Sequence, residues 1–255
     1  MKLSQLAHRI GFLLSAPKCV ACGERLSLDD RALCKVCYCE LLDNMTRNCS
    51  RCSNTLSKCT CSNEYLISHK VRYVVKVYRY IRREENRASN YLVYSLKKDN
   101  RKDVLDLCAD LLQGSINSTL IDGGIIKDKS AVVVTNVPRR KAAFVKFGID
   151  HSALLAKEIS NRLEFEYKSM FVSKAKKAQK ELKGTARRKN AIFKIKRRAD
   201  LHGKTVLIVD DLITSGSSVA AVADLARELG AKRVIAACMG IVYRDMYTPP
   251  KFTFN

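Results

Sequence analysis

Two adjacent carboxylates followed by a hydroxyl-rich turn form the most chemically specific stretch of the chain. The apolar run at 206–209 predicts a buried strand that ends at Asp210 and Asp211. The turn T-S-G-S-S at 214–218 follows, and a helix is expected from Val219. Ligands of open α/β sheets bind beyond the carboxyl ends of the strands. The acids therefore suit ribose hydroxyls or Mg²⁺, and the turn amides suit a phosphate monoester. An acidic turn that only caps the helix is the plainer alternative.

Two arginines follow a second predicted strand. The run A-V-V-V-T at 131–135 is typical of a strand buried on both faces, and it leads through Pro138 to Arg139 and Arg140. Parallel strands end at one edge, so we expect these guanidinium groups near Asp210 and Asp211. Guanidinium groups bind phosphate oxygens in a fork geometry, which suits a pyrophosphate. A solvated basic loop is the alternative.

The cysteines of the N-terminal quarter have the spacing of metal ligands. Nine of the eleven lie between Cys19 and Cys61, mostly in C-x-x-C and C-x-C pairs. Two such pairs complete a tetrahedral four-sulfur zinc site without a large core. The predicted ligands are Cys19, Cys22, Cys34 and Cys37 for one Zn²⁺, and Cys49, Cys52, Cys59 and Cys61 for a second. A cross-braced pairing and disulfides are alternatives, and Cys39 is left without a role.

The remaining elements predicted from the sequence are those that would position these groups. A β-branched and aromatic run predicts a strand at 71–80. The apolar run at 233–239 predicts another buried strand. An amphipathic helix is expected around 104–112, and a further helix at 153–163. The four histidines show no metal or triad spacing and are expected to be ordinary residues.

Length and charge limit the classes of protein and partner. The chain has 255 residues, with 47 Lys and Arg against 25 Asp and Glu, a net charge of +22 that favours polyanionic partners. No apolar run approaches the roughly 20 residues of a spanning helix. Residues 1–16 fit an amphipathic helix, with a short signal peptide as the alternative. Closely paired cysteines fit a reducing cytoplasm.

The motif D-D-x-x-T-S-G-x-S resembles the phosphoribosyl pyrophosphate (PRPP) motif of type I phosphoribosyltransferases. The resemblance implies a parallel sheet flanked by helices, with Mg²⁺ bound together with PRPP. It also implies that Asp210 and Asp211 hold the ribose and act in catalysis. The implied PRPP-binding residues are Asp210, Asp211, Thr214, Ser215, Gly216, Ser217 and Ser218, to which the pyrophosphate-suited Arg139 and Arg140 are added.

Further motifs are similar to those of the ComF family of competence proteins. K-x-G-x-D-x-S-x-L-L-A at 146–156 resembles the family's R-G-F-N-Q-x-x-x-L-A, and A-Q-K-E-L and R-R-K-N-A-I-F resemble its Q-x-x-L and R-x-x-N-x-x-x-F. Lys146, Asp150 and Lys176 depart from the usual Arg, Asn and Thr. The family joins a zinc finger to a phosphoribosyltransferase-like domain, which implies modules at 1–66 and 67–255.

A strongly basic stretch lies between two predicted strands. Residues 168–204 contain 14 Lys and Arg against Glu181 and Asp200. Type I phosphoribosyltransferases carry a mobile loop at this position, so the stretch is either a lid, a nucleic-acid contact or a solvated surface. The candidate phosphate contacts are Lys174, Lys176, Lys177, Arg187, Arg188 and Lys189.

Three functions follow from these features. The ComF resemblance implies a protein that binds single-stranded DNA during natural transformation, with a competence helicase as a further partner. The intact PRPP motif implies, alternatively, an enzyme that transfers ribose 5-phosphate from PRPP to a base-like acceptor. A regulator in which PRPP tunes the affinity for DNA is the third.

Overall fold

The computed structural model of the protein describes residues 17–81, 87–99, 101–174 and 192–242. The predicted N-terminal helix lies outside these ranges. The helices in the described part are α1 (Lys35–Thr46), α2 (Glu64–Ser68), α3 (Arg87–Lys98), α4 (Lys102–Ile116), α5 (Lys141–Phe147), α6 (His151–Leu163) and α7 (Ser217–Glu228). The strands are β1 (Val74–Arg79), β2 (Val132–Asn136), β3 (Glu166–Tyr167), β4 (Phe171–Ser173), β5 (Phe193–Ile195), β6 (Thr205–Ile213) and β7 (Arg233–Ile241). Short 3₁₀ turns span Leu56–Lys58 and Lys129–Ala131, and α4 continues into a π-helical turn at Asn117–Ile121.

Five parallel strands form the central sheet in the order β1-β7-β6-β2-β3. All five residues of β2 are buried, as expected for a parallel strand that helices cover on both faces. Strand β6 lies in the middle of the sheet, between β7 and β2. Strands β4 and β5 form a separate antiparallel pair. The predicted α/β class, a parallel sheet flanked by helices, is confirmed.

Neighbouring residues of the strands face two different apolar cores. Val209 of β6 packs in a core that includes Leu155 of α6 and residues of α3 and α4. Ile208, one residue earlier, packs in a core with Leu66 of α2 and Val222 of α7. Because side chains alternate along a strand, both faces of β6 are fixed by packing. This leaves its carboxyl end as the part of the strand that can meet a ligand.

Strand β6 is longer than the sequence predicts. The apolar run predicts a strand over 206–209, but pairing with β7 continues to Ile213, and Asp210 lies opposite Cys238. The two acids therefore lie inside the strand rather than in the turn after it. The other predicted strands and helices appear with ends shifted by a few residues.

The first cysteine-rich segment packs directly on the sheet and its helices. Leu33 and Leu41 are buried in the core that also contains Leu155. Nη1 of Arg31 donates a hydrogen bond to Oδ2 of Asp110 on α4, at 2.8 Å. The predicted division of the chain at residue 66 stays a prediction. In the ranges that the structure describes, no helix combines the length and the apolar character needed to cross a membrane.

Candidate functional site

Both acids of β6 contact the first turn of α6. Oγ of Ser152 donates to Oδ1 of Asp210 at 3.0 Å, and Nε2 of His151 lies 2.5 Å from Oδ2 of Asp211. The preceding residue, Asp150, caps α6 by accepting a hydrogen bond from the amide of Ala153. The positive end of the helix dipole favours carboxylates at this position. The sheet and α6 together hold two carboxyl groups at one edge.

Asp211 is buried and is held by two basic side chains. Its exposed fraction is 4%, and Nζ of Lys97 on α3 lies 3.2 Å from its Oδ1, opposite His151 at Oδ2. Burial alone raises the pKa of Asp211, but Lys97 and His151 outweigh it and hold the pKa well below its ordinary value. Burial likewise acts to lower the pKa of Lys97, and the carboxylates of Asp211 and Asp210 raise it. The Lys97–Asp211 pair is therefore ionic at neutral pH.

Asp210 has the opposite electrostatic environment. Burial, followed by the negative charge of Asp211, raises its pKa to about 8, while Lys97 and Ser152 act in the other direction. Its Oδ1 accepts hydrogen bonds from Ser152 and from the backbone amide of Asp211, at 3.0 Å each. Within the described residues its Oδ2 accepts none. Asp210 is therefore the acid of the pair that has an oxygen available for a ligand.

The loop after β6 turns tightly and leads directly into α7. Gly216 has a φ of +81° and is the N-cap residue of α7, so the helix begins at Ser217 rather than at Val219. Oγ of Ser215 lies 3.0 Å from Oγ of Ser217. The first amides of a helix have no partner within it and bind anions. The predicted turn, 214–218, is thus divided between a bend at 214–216 and the first two residues of α7.

The two predicted arginines lie after β2, at the same edge of the sheet. The backbone amide of Arg139 donates to Oδ2 of Asp150 at 3.1 Å, and its Nη1 donates to the carbonyl oxygen of Ile149 at 2.8 Å. Burial lowers the pKa of Arg139, and the charges of Asp150 and Asp211 raise it in part. Arg140 is the N-cap residue of α5. The structure thus brings Arg139 into the electrostatic field of the acids, and its binding of a pyrophosphate stays a prediction.

Three side chains of this site are not predicted from the sequence. His151 is expected to be an ordinary residue, yet it contacts Asp211, and its Nδ1 is buried without a hydrogen-bond partner among the described residues. Ser152 and His151 do lie within the K-x-G-x-D-x-S motif, which is a signal for both. Lys97 has no such signal, because it comes from a helix more than 100 positions away in sequence.

The eight predicted zinc ligands form two separate clusters. The sulfur atoms of Cys19, Cys22, Cys34 and Cys37 lie within 4.8 Å of one another, and so do those of Cys49, Cys52, Cys59 and Cys61. This grouping excludes the cross-braced alternative, and all eight cysteines are free of disulfides. Cys39 is exposed and lies outside both clusters. Four sulfur donors in a compact set fit a tetrahedral Zn²⁺ ion.

Each cluster begins with the same local turn. The residue after the second cysteine has a positive φ in both, +81° at Gly23 and +58° at Ser53. Its amide donates to the carbonyl oxygen of the first cysteine, at 3.0 Å for Cys19 and 2.8 Å for Cys49. Burial acts to raise the pKa of the Cys19 and Cys49 thiols, but backbone amides lower it to about 7 in each. Amides directed at a sulfur atom stabilise the thiolate, which is the form that binds a metal.

A fully buried lysine joins the second cluster to the sheet. Nζ of Lys76 on β1 donates hydrogen bonds to the carbonyl oxygens of Cys59, Cys61 and Val74, each at 2.9 Å. Lys76 has no exposed surface. A buried ammonium group needs negative charge nearby, and a zinc ion with four thiolates supplies it. Lys76 is thus a specific support for metal in this cluster.

The basic stretch is only partly described. Of the six predicted phosphate contacts, Lys174 is exposed, and Lys176, Lys177, Arg187, Arg188 and Lys189 lie outside the described residues. Further exposed cations follow on and after β5, where a cavity of about 480 Å³ opens beside the edge strand β3. The basic and aromatic residues that line it are Tyr167, Lys168, Lys196, Arg197 and Arg198. Positive charge is therefore concentrated near the edge of the sheet.

Part of the chain is similar to a known domain family. Residues 147–246 match the family described as the phosphoribosyl transferase domain. A purine phosphoribosyltransferase from Pyrococcus horikoshii Ot3 is 19% identical over 54% of this chain and 72% of its own, with a TM-score of 0.33. A hypoxanthine phosphoribosyltransferase from Staphylococcus aureus is 12% identical over 61% and 76%, with a TM-score of 0.32. No curated protein matches the chain. With its own strand order and this domain match, the chain has a type I phosphoribosyltransferase-like fold.

Proposed function

We propose that the protein binds PRPP, or a related phosphorylated ribose, and that this ligand acts on single-stranded DNA binding in a protein of the ComF type. The observation that carries the proposal is the direct succession of Asp210 and Asp211 by the turn at Gly216 and the first amides of α7. Only five residues separate Asp211 from Ser217, so we expect the carboxylates and the first amides of α7 to face the same ligand. The ComF part rests on the sequence resemblance.

Each part of the ligand has a counterpart in the site. The amides and hydroxyls of 214–218 would hold the 5′-phosphate, and Asp210, through Oδ2, would accept a ribose hydroxyl. Arg139 would meet the pyrophosphate. Asp211 would keep Lys97 and His151 in place, since both of its oxygens already face a basic group. Mg²⁺ bound with PRPP would be held from the protein side by Asp210, where its positive charge would offset the burial of the acid.

The cysteine clusters and the basic stretch complete the proposal. Two structural Zn²⁺ ions would bind the eight clustered thiolates, and free thiolates of this kind support the expected location in a reducing cytoplasm. The exposed cations around β4 and β5 would bind the DNA backbone without reading its bases. A competence helicase is a partner that the resemblance implies.

The test is fluorescence anisotropy of a labelled single-stranded oligonucleotide titrated with zinc-loaded protein at several salt concentrations. The proposal predicts binding with a steep salt dependence, and a change in affinity when Mg²⁺ and PRPP are added. If PRPP leaves the affinity for DNA unchanged, DNA binding and PRPP binding are independent functions. Absence of binding at moderate salt would contradict the DNA part and leave the PRPP site to be tested alone.

Phosphoribosyl transfer is the second candidate. The presence of Arg139 within the field of Asp211 favours it, because a guanidinium beside the acids can stabilise departing pyrophosphate. Release of pyrophosphate from PRPP in the presence of a panel of nucleobases would show turnover. An enzyme loses that release in Asp210→Asn while it keeps salt-sensitive DNA binding.

A further inference from the structure

The second cysteine cluster and the phosphate loop are connected by one short helix. Helix α2 begins three residues after Cys61, and its Leu66 is fully buried against the turn at Gly216. A methyl group added to the Cα atom of Gly216 would lie 2.7 Å from Cγ of Leu66. The space next to the loop is thus filled by the segment that leaves the cysteine cluster.

Helix α2 is fixed at both ends by groups that belong to these two sites. At its start, the side chain of Asn63 caps it through the amide of Leu66, at 2.8 Å, and Nη1 of Arg51 donates to the carbonyl oxygen of Ser62, at 2.8 Å. At its end, Nδ1 of His69 lies 2.8 Å from Oδ2 of Asp224 on α7. The helix is therefore held between the cluster and α7.

Lys76 attaches the second cysteine cluster to the sheet, two strands away from the one that carries Asp210. In the register of the sheet, Lys76 on β1 lies opposite Cys238 on β7, and Cys238 lies opposite Asp210 on β6. These three residues therefore lie side by side across the sheet. Through Nζ, Lys76 holds the carbonyl oxygens of Cys59 and Cys61. Loss of negative charge from the cluster would leave this buried ammonium uncompensated, so the segment that carries α2 would move.

We propose that the second cysteine cluster is a metal-dependent support for the phosphate loop, acting through Leu66 on Gly216. With Zn²⁺ bound, residues 59–61 are fixed, α2 is held on α7, and the loop keeps the shape that binds a phosphate. The first cluster packs in the other core, with Leu33 and Leu41, and does not have this role. The identity of the ligand in this inference rests on the proposed function. The contact between α2 and the loop rests on the structure alone.

The first experiment measures hydrogen exchange of the amides at 214–218 by mass spectrometry in the full-length, zinc-loaded protein. The variant Cys49→Ser/Cys52→Ser removes the second site, and the matched variant Cys19→Ser/Cys22→Ser removes the first. The second-site variant is expected to speed exchange in the loop about tenfold, because local opening becomes easier, and the matched variant should change it less than about twofold. Equal effects of the two variants, or no effect of either, would overturn the proposal.

Two variants that keep all the cysteines control for the possibility that loss of zinc unfolds the whole protein. Leu66→Ala should speed exchange at 214–218 while the protein still binds two zinc ions. Ile67→Ala, at an exposed position of the same helix, should leave the loop unchanged. If Leu66→Ala leaves loop exchange unchanged, the contact does not support the loop and the proposal fails, whatever the cysteine variants show.

Ribose 5-phosphate then separates this inference from the proposed function. Because coupling between the binding affinities of two sites is reciprocal, bound ribose 5-phosphate should tighten the equilibrium binding of one of the two zinc ions in competition with a chelator. Tighter binding of both ions, or of neither despite measured binding of ribose 5-phosphate, contradicts the inference. If wild-type protein binds no ribose 5-phosphate, the proposed function fails, and the exchange data still decide whether the cluster supports the loop.

Discussion

His151 and Asp211 form the closest contact of the candidate site, with 2.5 Å between Nε2 and Oδ2, and Lys97 faces the other oxygen of the same carboxylate. Two acids that are adjacent in sequence therefore differ in role. Asp211 is a buried anion that holds a helix and a lysine in place. Asp210 accepts hydrogen bonds through Oδ1, and within the described residues its Oδ2 accepts none. This difference gives the two acids separate, measurable properties.

Asp211→Asn is expected to destabilise the fold more than Asp210→Asn does. The change leaves Lys97 and His151 without their anionic partner at a largely buried position, which costs about 1–3 kcal/mol. Asp210→Asn removes no such partner and should cost less. Urea unfolding of both variants measures the difference in the free energy of unfolding. A larger loss for Asp210→Asn would show that the roles are reversed.

The stability conferred by Asp210 should depend on pH. Burial and the charge of Asp211 raise its pKa to about 8, from 3.8 for an ordinary carboxyl. The folded protein therefore binds more protons than the unfolded chain between about pH 4 and pH 8, and the contribution of Asp210 to stability falls as the pH rises through this window. Without divalent cations, Asp210→Asn should gain stability relative to wild type between pH 5 and pH 8, by about 1.4 kcal/mol or more. Asp122→Asn, at an exposed position, is the control and should show no such trend.

The zinc content of single-cysteine variants tests the assignment of the clusters. Cys39→Ser should retain two zinc ions per chain, because Cys39 is exposed and lies outside both sets of sulfur atoms. Cys37→Ser should bind one ion fewer, since a structural site needs four ligands. Atomic absorption on purified protein measures both. Loss of an ion in Cys39→Ser would require a different set of ligands.

Gly216→Ala and Gly114→Ala should have opposite effects on stability. At Gly216, φ is +81° and an added methyl group meets Leu66, so the change should cost about 1–3 kcal/mol. Gly114 lies within α4 with open space around its Cα atom, and alanine there should stabilise the helix by up to about 1 kcal/mol. Thermal unfolding followed by circular dichroism compares the two. A neutral Gly216→Ala would contradict the tight packing of the loop on α2.

Much of this architecture can be predicted from local sequence. Valine-rich runs predict β2 and β6 because buried parallel strands need apolar residues on both faces. The cysteine spacing predicts the two clusters because a thiolate pair closes on one ion within a single turn. Ser53 shows a limit of such reasoning, since it has a positive φ, as Gly23 does, without being a glycine.

The partners of Asp211 depend on tertiary packing and have no comparable local signal. Lys97 reaches the acid only because α3 packs beside the sheet, and nothing in its own helix distinguishes it from Lys98. Leu66 and Lys76 likewise look like ordinary residues in sequence. Their roles depend on which turn or cluster the fold places next to them. Helix α2, with only five residues, is also too short for a periodic pattern to reveal it.

The most direct test of the proposed ligand site is isothermal titration calorimetry of PRPP with Mg²⁺ into the zinc-loaded, full-length protein. We expect one ligand per chain in the wild type and in the control Asp122→Asn. In Asp210→Asn the affinity should fall about tenfold or more, because a charged acceptor for a ribose hydroxyl is lost. Absence of binding to the wild type, or an unchanged affinity in Asp210→Asn, would contradict the assignment of this edge of the sheet as a site for a phosphorylated ribose.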